Sequence, residues 1–197
     1  MSNRKHITAL ILLCACPLPS HGQIGNASGS LSLNFLNGNT YDGSTPLVIE
    51  MWIGFDPQVI VAWGNYFGSI QSTDPTANWS DLQSAYTAAP GSSVGTVGNG
   101  SVWSIALAQL HFPPTSPGNT SNPIMIWSGE WSSGDLTPRV VDVTTITSNS
   151  LGYGGIHLYN LVFDDPTAQI QVIPAPPALA FLALASGLAS RRHRVPA

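Results

Sequence analysis

The sequence predicts an all-β fold: a single antiparallel β-sandwich, jelly-roll-like, with one short helix, flanked by an N-terminal signal helix and a C-terminal transmembrane helix. Three observations lead there. Leu31, Leu33 and Phe35 alternate with Ser30, Ser32 and Asn34, which is the period of a half-buried strand. Short runs rich in β-branched and aromatic residues recur, each bounded by turn formers such as Asn37-Gly38, Asp42-Gly43, Gly64-Asn65 and Asp165-Pro166. No repeat, charge run or low-complexity block divides residues 23–171, so they read as one domain, long enough to bury its own core.

The elements follow in chain order. Residues 1–6 carry two positive charges, residues 7–16 are apolar, and residues 17–22 are polar and turn-prone. That is the three-part pattern of a secretory signal peptide, with cleavage expected before Gln23. Two alternatives are a buried N-terminal core helix and lipidation at Cys16, since Leu13-Cys14-Ala15-Cys16 loosely resembles a lipoprotein cleavage box. Both cysteines of the chain, Cys14 and Cys16, lie in this removable segment. The mature body is therefore expected to contain neither a disulfide nor a thiolate metal site.

Within the body, strands are expected near residues 30–35, 47–55, 59–63, 102–112, 124–127, 139–147, 156–163 and 170–173. Residues 102–110 would also suit a buried helix. The one short helix is expected where Ser80-Asp81-Leu82-Gln83 forms a capping box. Trp79, Leu82 and Tyr86 would share its face, and Pro90-Gly91 would end it.

Charge narrows the function. Only 8% of the 197 residues are charged, against about 25% in ordinary soluble domains, too few for a typical cytoplasmic enzyme. Arg4 and Lys5 open the chain and Arg191, Arg192 and Arg194 close it, which leaves Arg139 alone against ten acids between Asp42 and Asp165. Such a body should not seek nucleic acid or anionic lipid. It holds no lysine, which excludes P-loop phosphate binding and Schiff-base chemistry.

The catalytic candidates are few. Gly91-Ser92-Ser93-Val94-Gly95 fits the pattern of a nucleophile elbow, with Asp142 and His157 following in α/β-hydrolase order, but the strand before and helix after are missing. Glu50 beside Trp52, and Glu130 between Trp127 and Trp131, are the chain's two glutamates and the candidate carboxyl pair of a polysaccharide-acting hydrolase. Trp79, Trp127 and Trp131 adjoin polar residues and are the candidate exposed rings of a glycan-binding module. His111 and His157 stand apart and read as structural. No cofactor is expected; the ten acids leave room for calcium, though no calcium-loop motif supports it. Four Asn-x-Ser/Thr sequons, at Asn26, Asn78, Asn99 and Asn119, matter only in a host that glycosylates them.

The C-terminus, residues 172–197, is a second address. Ile173-Pro174-Ala175-Pro176-Pro177 is followed by twelve uncharged residues, 178–189, and then by Ser190 and the cluster Arg191-Arg192-His193-Arg194. A helix of that length spans about 18 Å, less than the ~30 Å hydrocarbon core, so it would cross only with thinning of the bilayer or snorkelling of the flanking arginines. The positive-inside rule puts the arginines in the cytoplasm and the body outside.

A proline box, a short Ala/Leu/Gly-rich helix and a terminal arginine cluster together resemble the PEP-CTERM sorting signal of bacterial exosortase substrates. The resemblance covers residues 172–194 and departs from the common form in having Ala175 where the family usually has Glu. It implies that Pro174, Ala175 and Pro176 form the recognition motif, residues 178–189 a transient membrane anchor, and Arg191, Arg192 and Arg194 the stop signal. The implied partners are signal peptidase, an exosortase-like processing enzyme, the membrane before processing, and exopolysaccharide. A permanent tail anchor is the alternative. The expected protein is thus an exported bacterial surface or exopolysaccharide-matrix component with a structural or adhesive, non-enzymatic body; the alternatives are a glycan-binding module or a secreted polysaccharide hydrolase.

Overall fold

The computed structural model describes residues 24–86, 91–109, 121–154 and 157–173. Eleven strands occur among them: β1 (Gly25–Phe35), β2 (Thr40–Tyr41), β3 (Leu47–Phe55), β4 (Ala62–Ser72), β5 (Ala77–Gln83), β6 (Thr96–Gly98), β7 (Ser101–Ala108), β8 (Ile124–Ser133), β9 (Arg139–Gly154), β10 (His157–Val162) and β11 (Thr167–Val172). They form a sandwich. The front sheet runs β5-β8-β3-β1, and the back sheet runs β6-β7-β4-β9 with β10 and β11 sharing the far edge of β9. The signal segment, the proline box, the tail helix and arginines, and His111 lie outside the described residues.

β1 belongs to both sheets. Gly25 to Ser28 pair with β10 in the back sheet, and Gly29 to Phe35 pair with β3 in the front. The crossing falls at Gly29, where a Cβ would lie 2.8 Å from the Phe163 ring, so a side chain there would push the closing aromatic out of place. The β1–β10 pairing is parallel, and so is β2–β11. The expectation of a wholly antiparallel sandwich is corrected to that extent: a strand that leaves one sheet for the other meets its new neighbour in whichever direction the chain already runs.

Alternation builds the core. β3 is buried at every second position, so Leu47, Ile49, Met51, Ile53 and Phe55 face inward, where they meet Trp63, Tyr66 and Ile70 of β4 and Leu107 of β7 within one apolar cluster. β7 is a strand, which decides its sequence ambiguity. The last strand reaches Val172, which is buried, one residue past the expected end of the body. Gly64-Asn65 is not a turn; it lies inside β4 at a register shift against β9, where a Cβ on Gly64 would meet the Tyr153 ring.

The expected helix at Ser80 is absent: the segment is β5, an edge strand on β8, and no helix occurs among the described residues. Trp79 decides it. As a strand residue it points inward, packs edge-to-face on Trp127 with ring centroids 5.8 Å apart, and donates its indole N–H to Gly100 O at 2.7 Å. Burying an indole removes about 150–250 Å² from water, worth at most about 4–6 kcal/mol, against about 1 kcal/mol for a helix cap. The capping-box residues serve the strand instead: Asp81 takes φ of 46° within a bulge, and the Ser80 hydroxyl donates to Glu130 at 3.3 Å.

Candidate functional site

The outer face of the front sheet gathers the residues that the sequence singles out for chemistry. The alternation that buries Ile49 and Met51 turns Val48, Glu50 and Trp52 outward on β3, and on β8 it turns Ser128, Glu130 and Ser132 outward. Register then sets the neighbours. Glu50 sits opposite Asn34 on one side and Ser128 on the other, while Glu130 sits opposite Val48 and Ser80. The two glutamates are thus diagonal neighbours on one face, with their backbones roughly 7–8 Å apart by ordinary sheet spacing. Glu50 accepts the Trp52 indole N–H at 2.8 Å, which ties the half-buried ring to the carboxylate two residues before it.

A glycosidase needs its two carboxyls to flank a sugar held in a groove, about 5 Å apart in a retaining enzyme and about 6.5–9.5 Å in an inverting one. An inverting pair needs a sugar held between acid and base; here both acids stand on one side of an open sheet. A concavity of about 510 Å³ lies at the end of this face, but its lining residues are Ser28, Ser30, Phe55, Asp56, Asn122 and Pro123 with two glycines, and neither glutamate. Its wall is fixed by Asn122, which takes the Phe55 N–H at 3.1 Å and donates to the Phe55 carbonyl at 2.6 Å.

Trp79, Trp127 and Trp131 are not exposed, which corrects the expected glycan contacts. All three are at most 3% exposed. A register shift between Met51 and Trp52 leaves β8 one residue longer than its partner, so Ile126 and Trp127 both turn inward. The Trp127 N–H donates to Val94 O at 2.8 Å, and Trp131 packs edge-to-face on Tyr41 with centroids 5.2 Å apart. Polar sequence neighbours mark the opposite face of a strand, not the exposure of the ring between them.

The hydrolase-like trio does not assemble. Ser93 bridges Ala106, and its hydroxyl accepts the Gly95 N–H at 3.0 Å in a local turn. Asp142 accepts from Gln169 at 3.0 Å near one end of β9, whereas exposed His157 pairs with Gly154 at the other. Twelve strand residues between them amount to roughly 40 Å. Among the described residues no three His, Cys, Asp or Glu side chains cluster as metal ligands. Asp165, in the connection between β10 and β11, accepts the Thr147 N–H at 3.0 Å and the Thr147 hydroxyl at 2.6 Å, which pins that connection to β9.

The strongest polar cluster is structural, and the sequence did not announce it. Arg139, the body's one arginine, donates to Asp74 at 2.6 Å, and the Ser133 hydroxyl donates to the same carboxylate oxygen at 2.7 Å. Thr76 bonds the other oxygen at 2.7 Å through its hydroxyl and at 2.9 Å through its N–H. Burial opposes ionisation of Asp74, but the bonds from Thr76, Ser133 and Arg139 outweigh it and hold the carboxyl at about 2. This corner ties the ends of β4, β5, β8 and β9 together and uses up the body's only cation.

Solved structures match this architecture. One is the cohesin module of a family 33 glycoside hydrolase from Clostridium perfringens ATCC13124: it is 11% identical, superposes with a TM-score of 0.51, and aligns over 76% of this chain and 100% of that module. A second is the seventh ScaB type I cohesin from Pseudobacteroides cellulosolvens, at 9% identity and a TM-score of 0.53 over 79% of this chain and 97% of that one. The body has a cohesin-like fold. At these identities the likeness is one of fold alone. No protein-family model and no curated protein matches the sequence.

Proposed function

We propose that the chain is an exported bacterial protein of the cell surface or exopolysaccharide matrix, sorted through its C-terminal tail, with a non-catalytic body whose role is structural or adhesive. The observation that carries it is the segregation of charge. Five of the six cations lie in the two terminal segments, and the sixth is consumed inside the body by Asp74. The ends therefore have the character of membrane addresses, and the body that of an acidic, self-contained cargo. Among the described residues, the concavity at the end of the front face is lined by neither Glu50 nor Glu130, and Ser93, Asp142 and His157 are scattered, which favours attachment over turnover. The cohesin-like fold is compatible with that role, since one structural neighbour is a module carried by a glycoside hydrolase.

Pro174, Ala175 and Pro176 are the sorting motif in this proposal, with Arg191, Arg192 and Arg194 as its cytoplasmic stop. Intact mass of the protein from culture fluid and from the envelope of its host tests it. A product that begins near Gln23 and ends near the proline box supports sorting, and added mass at that end identifies an attached form. A membrane product that retains Arg191 to Ala197 would leave a simple tail anchor and remove the exosortase.

A further inference from the structure

We propose that the outer face of the back sheet carries a binding site for a neutral polysaccharide, seated on Trp103 and Phe67. The proposal deepens the adhesive role put forward above and rests on it for the presence of polysaccharide around the protein. Two β-bulges meet there, one on each side of β4. Against β7, the register passes from Gly68–Ile105 to Ile70–Val102, so β7 holds one residue too many, and Ser104 absorbs it with φ of 58°. Against β9, it passes from Phe67–Asn149 to Gly68–Thr147, which leaves Ser148 as the extra residue. Bulges re-aim side chains. Here each one breaks the alternation and turns two consecutive residues outward, Trp103 with Ser104 and Ser148 with Asn149.

The result is a concavity of about 350 Å³ with Phe67, Trp103, Ser104 and Ser148 on its walls. Gly68 also lines it, by its backbone: a Cβ there would point inward, 2.5 Å from the hydroxyl of the buried Tyr66. Phe67 is 39% exposed and Trp103 40%, unlike the buried tryptophans of the core. The Trp103 indole N–H donates to Gly98 O at 3.0 Å, which fixes the ring before any ligand arrives.

The lining selects the ligand class. No charged side chain lines the hollow, so a phosphate, a cation or an acidic chain finds no partner. Aromatic faces beside hydroxyls suit a ring that is apolar on its C–H faces and polar at its rim, which describes a neutral pyranose. The volume lies in the range of small-ligand pockets, about 300–1,000 Å³, whereas a stable protein interface covers about 800 Å² on each partner.

Affinity electrophoresis tests the site, with the full-length protein in mild detergent run through native gels containing dextran, galactomannan, xyloglucan or acidic alginate. At least one neutral gel is expected to retard the wild type, and alginate is not. Trp103→Ala should weaken retardation at least tenfold, and Trp103→Phe should keep most of it. Near-UV circular dichroism and the melting midpoint check that each variant is folded. If Trp103→Ala does not fold, Ser148→Arg, which fills the hollow from an exposed position, gives the same readout. Free migration of the wild type through all three neutral gels overturns the proposal, as does wild-type retardation of folded Trp103→Ala. Loss of a dimer on sedimentation with retardation unchanged would make the face a contact between copies, and would also overturn it. Intact mass separates the two readings: failure here with a tail trimmed at the proline box sinks the glycan site alone, and retardation with an untrimmed tail sinks only the sorting.

Discussion

Trp127 and Trp103 sit on strands of similar length and similarly polar surroundings, yet one is sealed in the core and the other lies open on the back sheet. A bulge sets both fates. On β8 the extra residue turns Ile126 and Trp127 inward together; on β7 it turns Trp103 and Ser104 outward together. The indole N–H finds a backbone carbonyl in each case, Val94 for Trp127 and Gly98 for Trp103. What differs is which sheet face the doubled residue joins. The stability of the protein and the chemistry of its surface are thus divided among residues of one type by register, a long-range property.

The largest expected effect that would break this comparison is on stability. Trp127→Ala should cost about 3–5 kcal/mol in chemical denaturation, by analogy with other buried aromatic truncations, and Trp103→Ala less than about 1 kcal/mol. Equal costs would mean that Trp103 is part of the core.

Next comes the Asp74 corner. Asp74→Asn should cost about 1.5–3 kcal/mol near neutral pH, the scale for hydrogen bonds to a charged group. The pH dependence carries a sign. Because the folded carboxyl is held at about 2 against an ordinary 3.8, its contribution is complete above about pH 4 and is lost as pH falls toward 2. Asp74→Asn should therefore flatten the fall in melting midpoint between those values; an unchanged acid limb would remove Asp74 from the account.

A finer contrast lies within the core. Among the described residues the buried Trp131 indole N–H has no partner, whereas that of Trp127 is bonded. Trp127→Phe should then cost about 1 kcal/mol more than Trp131→Phe, the worth of one hydrogen bond. The smallest effect concerns β5: Ser80→Val, a β-branched residue at an exposed strand position, should shift stability by no more than about 0.5 kcal/mol. A loss above 1 kcal/mol would return the segment to a capped helix.

Much of the fold was legible because alternation is local. The limits of β3 coincide with residues 47–55, and the starts of β8 and β9 at Ile124 and Arg139 are where the sequence put them. β5 departs from the predicted helix because a capping box and a period-3 face are also local signals, and they lose to the burial of Trp79. The candidate site was less legible. That Glu50 and Glu130 share a face needs the β3–β8 register, and the exposure of Trp103 needs the bulge at Ser104. Asp74 and Arg139 lie 65 residues apart, and no spacing rule pairs them.

By itself the sequence determined the β class, the turn at Asn37-Gly38, the cation-poor body and the segregation of positive charge to the ends. Those follow from side-chain identity and from periods of two residues, which each short segment carries within itself. The tertiary structure alone decided the crossing of β1 between sheets, the parallel pairings, which tryptophans are core and which are surface, and the ion-paired corner at Asp74. Those depend on which strand lies beside which and in what register. That choice minimises the exposed apolar area of the whole chain, a quantity no single segment contains.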